Sequence, residues 1–377
     1  MEGNAIIAIK TIKEEIKKNN TMKKNLAKSS IINLQLLILL FGFWSCEREK
    51  PNTDPVETSN AHIAYILNEG VWGSNNAEIS VLDSNGVVND WFSRNNGRGL
   101  GDVAQDMIHY GTKLYVSVYM SNTVEVVDAA TGKSLKQIDM GQRGPRYMAA
   151  HQGKVYVTCY DRSVVRIDTA TLSIEASCPL SGMQPEAICE AGGKLYVCNS
   201  WQYDENGHVV YDNTISVVDI ATFAEVEKIT VWTNPIRAKR LDDNTIVVAC
   251  EGDYGDKEPR TLLLNLTTHG FAVLPVAATN FDIKGTDIYL YNISYGADWT
   301  PEAHFYRVAS ATGTPTPILA EYGSRLNNAY GINVHPTSGE LFVTTSVYGS
   351  NSDLFILSEG GEIRSHEVGI YASKVIF

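Results

Sequence analysis

The sequence predicts an all-β chain: a seven-bladed β-propeller of four-stranded antiparallel blades, its ring closed by the C-terminal strand. Three observations carry this. A strand signature recurs seven times, a hairpin turn recurs beside it, and one unmatched strand is left at the chain end. The signature copies are Ala64–Leu67, Lys113–Val116, Lys154–Val157, Lys194–Val197, Thr245–Val248, Asp287–Leu290 and Glu340–Val343. From Tyr65, the second residue of the first copy, through the third positions of the other six, the steps are 50, 41, 40, 51, 42 and 53 residues. A period of this size in a strand-rich chain holds one four-stranded blade per repeat.

The third repeat shows the unit. Strands are predicted from Lys154, over Ser163–Asp168, over Ser173–Pro179 and over Pro185–Glu190, and Gly192-Gly193 turns into the next repeat. An Asp-x-x-Thr turn recurs at Asp128–Thr131, Asp168–Thr171 and Asp219–Thr222, where the carboxylate can accept a nearby backbone N–H. The motif decays elsewhere: Ser-Asn-Gly follows Asp83, Asn265 stands in the fifth repeat and Ala309 in the sixth.

Within Leu114-Tyr115-Val116 the outer two side chains point one way and Tyr115 the other. Both faces are apolar, as in a blade packed between two neighbours; a sheet with one wet face alternates apolar and polar. A two-sheet sandwich is the competing architecture, and the regular period argues against it. The first repeat starts at its Tyr65 strand and lacks the strand that precedes it in the others. Ala372–Phe377 supplies that strand, so it is expected innermost in the first blade, pairing an otherwise open edge.

Residues 1–45 read as a leader outside the ring. Lys23 and Lys24 follow Met22, an apolar run leads from Leu34 to Trp44, and Ser45-Cys46 comes next. A basic start, a short apolar core and a small residue before Cys form a lipoprotein signal peptide, resembling the bacterial lipobox. The run is too short to span a bilayer. Met22 reads as the start, with residues 1–21 an upstream extension. Cys46 is then the lipidated residue, 46–61 a flexible tether and 62–377 the propeller. Without residues 1–45 the chain keeps 24 basic and 40 acidic residues, a net charge of −16. Such a surface excludes nucleic acid and anionic lipid as charge-driven partners, and leaves the lipid as the only membrane attachment.

Cys159, Cys178, Cys189, Cys198 and Cys250 fall in or beside predicted strands and read as small buried hydrophobes. Sequence assigns no disulfide among them, and no spacing suggests a zinc site.

Propeller loops sort by strand order. The Asp-x-x-Thr hairpins and Gly-Lys turns belong to one face and are short. Loops after the Tyr strand share the other face with the links between blades, and these are long, irregular and aromatic. Binding usually resides on such loops. Around that face the candidate ligand-binding residues are Trp72, Arg98, Tyr119, Arg143, Tyr160, Trp201, Tyr254, Tyr295, Trp299 and Tyr348, flanked by Asn, Gly or Asp. Rings beside amides offer apolar area with directed hydrogen bonds, suiting a flat, partly polar small molecule or a protein surface.

Catalytic signals are thin. The eight His are scattered and no G-x-S-x-G elbow occurs. Asp102, Glu186 and Asp282 begin inter-blade strands and are the carboxylates able to reach the axis, without a confirming spacing. Asp83–Gly86 and Asp204–Gly207 look like calcium-loop fragments but read as hairpin tips. No catalytic residue, metal ligand or required cofactor is assigned.

The stretch Leu114–Gly132 resembles the YVTN-type repeat of seven-bladed propellers described as surface-layer or quinoprotein-like. Tyr65–Gly70 followed by Gly99–Gln105 is similar to a set of surface lipoproteins of gut bacteria. The BtuG-type members of that set capture cobalamin and pass it to an outer-membrane TonB-dependent transporter. The resemblance implies a non-enzymatic, lipid-anchored outer-membrane protein that holds a corrinoid on its loop face, with the transporter as partner. A protein- or glycan-interaction module without a small ligand stands as the alternative, followed by a propeller enzyme. Cobalamin carries a phosphate, which an acidic face repels; Arg94, Arg98, Arg143, Arg146 and Arg162 are expected on that face and offset this locally.

Overall fold

A computed structural model describes residues 63–310, 313–358, 361 and 363–377. The leader, Cys46 and the tether lie outside the described residues. The described residues form seven four-stranded antiparallel sheets plus one two-stranded ribbon. The second blade, from axis to rim, is Ala104–Tyr110, Lys113–Val118, Thr123–Asp128 and Ser134–Asp139. The next five blades begin at Pro145, Pro185, Pro235, Asn280 and Ala329. The predicted closure is observed: Ala372–Ile376 pairs antiparallel with Ala64–Asn68, setting Ile66 opposite Val375 and Leu67 opposite Lys374.

Second strands are buried on both faces, as their sequence requires, and outer strands are largely exposed. The core lies between blades. Tyr115, for example, packs with Val155, Val157 and Val165 of the following blade. One element was not legible in sequence. The first inter-blade link contains a six-residue helix, Trp91–Asn96, which buries Trp91 and Phe92 beneath the first two blades. Glu78 organises its start: Oε1 accepts from the backbone N–H of Phe92 (3.0 Å) and Ser93 (3.2 Å). Burial pushes the Glu78 carboxyl up to about 7.

The Asp-x-x-Thr turns work by a closer fit than a single backbone contact. Asp128, Asp168 and Asp219 each use Oδ1 to accept both the N–H and the Oγ1–H of the Thr three residues on. Asn265 makes the same pair of contacts with Thr268, so its replacement of Asp preserves the turn. Asp83 and Asp204 are hairpin tips, accepting from the N–H of Asn85 and Asn206.

Around the axis, polar links join every pair of adjacent inner strands. Lys374 reaches Asp106 at 2.5 Å, and the other oxygen of Asp106 accepts from Met148 N–H at 2.9 Å. Arg146 pairs with Glu186 at 3.0 Å, and Arg240 approaches Glu190 at 3.7 Å. Lys239 pairs with Asp282 at 2.7 Å, while Asp282 also accepts from Val334 N–H at 2.8 Å. Asn333 closes the circle by accepting from Val375 N–H at 2.8 Å. Asp282 therefore holds three blades together. Five free thiols, Cys159, Cys178, Cys189, Cys198 and Cys250, are buried, and burial pushes Cys189 and Cys250 up to about 12. Among the described residues, no helix is long and apolar enough to cross a membrane.

Candidate functional site

Six of the seven inner strands carry a register shift at their loop-face end. Such bulges re-aim side chains. The residues set at the shifts are Gln105, Arg146, Glu186, Ile236, Tyr330 and Ser373. The sequence announces them weakly, because each follows a buried Ala or Pro: Ala104, Pro145, Pro185, Pro235, Ala329 and Ala372. Of these, only Arg146 and Glu186 were expected from sequence on the loop face or at the axis.

Arg146 is the centre of this layer. Its guanidinium makes a two-pronged pair with Glu186, with Nε to Oε2 at 3.1 Å and Nη2 to Oε1 at 3.1 Å, and donates to the Gln105 side-chain oxygen. It also lies 5.0 Å from the Tyr119 ring centre, 4.6 Å from Tyr160 and 5.8 Å from Tyr147. The Tyr160 hydroxyl donates to Glu186. Burial opposes the Arg146 charge, but Glu186 and the tyrosines outweigh it and hold its pKa above the ordinary value.

The axis encloses a cavity of about 550 Å³. Above it, on the loop face, lies a trough of about 450 Å³ walled by Trp201, Tyr203, Tyr211 and Tyr254, with Glu186, Ile236 and Glu251 along it. The two share Arg146, Tyr147 and Arg237, so trough and cavity meet at these side chains. Both volumes fall within the ~300–1,000 Å³ usual for small-molecule sites. The wall is an insertion: Trp201–Tyr203 pairs with Val209–Tyr211 as a ribbon standing off the fourth blade. Trp201 meets Tyr203 edge-on at 5.2 Å, and Tyr211 lies 6.1 Å from Tyr254 across the trough. Arg162 donates to Gln202, tying the ribbon to the third blade.

The topology sets all the predicted aromatic residues on loops between second and third strands, hence on one face. They fall into separate groups. Trp72, Tyr119 and Tyr160 form a line, at 6.1 and 5.4 Å, that ends on Arg146. Trp201 and Tyr254 flank the trough. Tyr348 reaches Tyr371 at 6.4 Å, and Tyr371 reaches Tyr330 at 6.1 Å, a line that ends at the cavity. Tyr295 and Trp299 contact each other at the long hairpin of the sixth blade. The two predicted arginines are engaged elsewhere. Arg98 pairs with buried Glu125 at 2.8 Å, and Arg143 pairs with Asp161 at 3.1 Å. Asp102 likewise serves the fold, accepting the Gly73 N–H at 3.0 Å.

At the cavity mouth Glu69 accepts from the Tyr330 hydroxyl at 2.7 Å. Burial raises the Glu69 pKa, partly opposed by Tyr330, Ser373, Arg146 and Arg237. Among the described residues, no three His, Cys, Asp or Glu side chains are grouped to hold a metal ion.

A family model described as a domain of unknown function, DUF5074, matches residues 63–368. The chain belongs to the DUF5074 family. That span contains every residue lining the trough, and all of the cavity lining except Ser373 and Lys374 of the closing strand. No curated protein matches the chain. Among solved structures, the chain is similar to a quinonprotein alcohol dehydrogenase-like protein from Bacteroides thetaiotaomicron, at 14% identity and a TM-score of 0.59, covering 83% of this chain and 77% of that one. Hydrazine synthase of Kuenenia stuttgartiensis is similar at 17% identity and 0.54, covering 66% and 74%. The Pan2 WD40 domain of Neurospora crassa follows at 9% and 0.53, covering 76% and 87%. At these identities the likeness concerns the propeller fold alone.

Proposed function

We propose that this DUF5074 chain is a non-enzymatic binding protein whose loop-face trough captures a broad, flat, partly polar ligand of the corrinoid class. The observation that carries the reading is an aromatic trough over two guanidinium groups: Trp201, Tyr203, Tyr211 and Tyr254 stand with Arg146, which is paired with Glu186, and Arg237, which has no ion-pair partner among the described residues. Rings supply apolar area at low entropic cost, and Arg237 offsets locally the repulsion that a chain of net charge −12 presents to an anionic ligand. Cys46, when lipidated, tethers the ring to the outer membrane, and a TonB-dependent transporter receives the ligand.

Isothermal titration with cobalamin and cobinamide tests this. Wild type gives saturable heat, and Trp201→Ala with Tyr254→Ala weakens binding by about tenfold or more at an unchanged melting temperature. Absence of heat with both corrinoids removes the ligand class. A second reading, a protein- or glycan-interaction module, is favoured by Trp299 and Tyr348, which are 81% and 85% exposed and lie outside the trough. In that case Trp299→Ala abolishes partner capture while corrinoids leave the melt unmoved.

A further inference from the structure

The axial cavity concentrates positive charge in an acidic chain. Arg146, Arg237, Lys239, Arg240 and Lys374 line it, against Glu69 and Asp106. Four of the five cations are matched to carboxylates: Arg146 to Glu186, Lys239 to Asp282, Arg240 to Glu190 and Asp243, and Lys374 to Asp106. Arg237 differs. Among the described residues no carboxylate lies within ion-pair distance of it. Its Nε donates to the Thr279 carbonyl at 3.1 Å, and among the described residues no hydrogen bond engages its Nη groups, while the residue lines both cavity and trough.

The surroundings of Arg237 suit an anion. Tyr147, Tyr291, Glu251 and Tyr330 together outweigh the burial that opposes the Arg237 charge and hold its pKa above the ordinary value. Tyr147 accepts from Gln105 at 3.1 Å, so its own hydroxyl hydrogen is directed away from that bond. A planar fork with its Nη–Nη edge free is a geometry that recognises carboxylate and phosphate groups.

We infer that the mouth of the axial cavity is an oxyanion subsite, with Arg237 as its receptor and Tyr147 as a second donor, for a carboxylate or phosphate ester. This deepens the ligand reading above by assigning the anionic part of a ligand to the axis and its flat part to the trough. The subsite also stands without the corrinoid class, because it accepts a small free anion. Glu69 faces the same space. The groups that face it are Tyr330 on the seventh blade, Ser373 on the closing strand, Arg146 on the third blade and Arg237 on the fifth. Ionised, Glu69 competes with the anion for Arg237; protonated, it does not.

The test uses sulfate, inorganic phosphate and acetate as probes, titrated into the full-length protein and followed by calorimetry. Wild type binds at least one of them saturably, and the preference between acetate and phosphate tells a carboxylate subsite from a phosphate one. Arg237→Gln weakens binding by about tenfold or more, and Arg237→Lys gives an intermediate loss because the charge stays while the fork is gone. Arg143→Gln, at an exposed ion pair, leaves binding unchanged. Sulfate keeps its charge on lowering pH from about 8 to about 5, so its affinity rises as Glu69 takes up a proton, and Glu69→Gln flattens that dependence. Equal binding by wild type and both Arg237 variants, or no binding of any probe at 10 mM (roughly a hundred times weaker than a 0.1 mM site), overturns the subsite. Corrinoid titration is scored separately, so loss of one reading does not decide the other.

Discussion

The two faces of the disc end the same strands in opposite ways. On one face Asp128, Asp168, Asp219 and Asn265 turn their side chains back onto their own hairpins, each satisfied by a Thr three residues on. On the other face, rings lean on rings from different blades, and Trp72, Tyr254, Trp299 and Tyr348 remain mostly exposed. The first face spends its polar groups on closing turns. The second holds polar and aromatic groups pointed at open space, over an axis where inner strands are bulged. The difference separates what the ring needs to form from what it needs to bind.

The largest effect expected is on the ring itself. Deleting residues 370–377 removes the inner strand of the first blade and the Lys374 and Val375 links, and lowers the melting temperature by at least about 10 °C. Next comes Asp106→Ala. Asp106 is buried and serves Lys374 and Met148 together, so its loss costs about 3 kcal/mol in denaturant unfolding, at the low end because Lys374 is partly exposed. Asp106→Asn recovers part of this if the Met148 contact matters on its own.

Two pH effects of opposite sign sharpen the contrast. Burial raises the Glu78 carboxyl to about 7, so the folded chain holds that proton more tightly than the unfolded one. Its contribution is full below the unfolded value and is lost as pH rises through about 7, at most about 3 kcal/mol between pH 4 and 8. Glu78→Gln flattens the stability profile in that window. Asp168 behaves the other way. Its hydrogen bond to Lys154, then those to Thr171, hold its carboxyl well below the ordinary range. Its stabilisation is present above the unfolded carboxylate value and disappears as pH falls. Because Asp168 lies in a surface turn and its Lys154 partner is partly exposed, Asp168→Ala moves the melting temperature at neutral pH by only about 2 °C or less.

The ring was legible in the sequence because its signals are local and repeated. The Tyr-strand spacing, the Asp turns and the spare Ala372–Phe377 strand each name a position without any long-range information. The axis was harder to read. A bulge moves Gln105, Tyr330 or Ser373 to the channel by a one-residue shift that period-2 reasoning does not register. Arg98 shows the complementary limit. It was expected on the aromatic face, but its guanidinium donates to Glu125, which is buried on a strand 27 residues away, and to Ser134 beside the Asp128 turn. Charge is visible in sequence; the group that neutralises it is not. The helix at Trp91–Asn96 was missed for a similar reason, since Asp90 makes no side-chain cap and the N–H groups are met by Glu78 from a preceding strand.

Hydrogen–deuterium exchange with and without saturating corrinoid tests the assignment of binding to the aromatic face most directly. Slowed exchange is predicted at 199–213 and 251–258, with no change at the turns 128–131, 168–171 and 219–222. Unaltered exchange throughout, or protection centred on those turns, contradicts it.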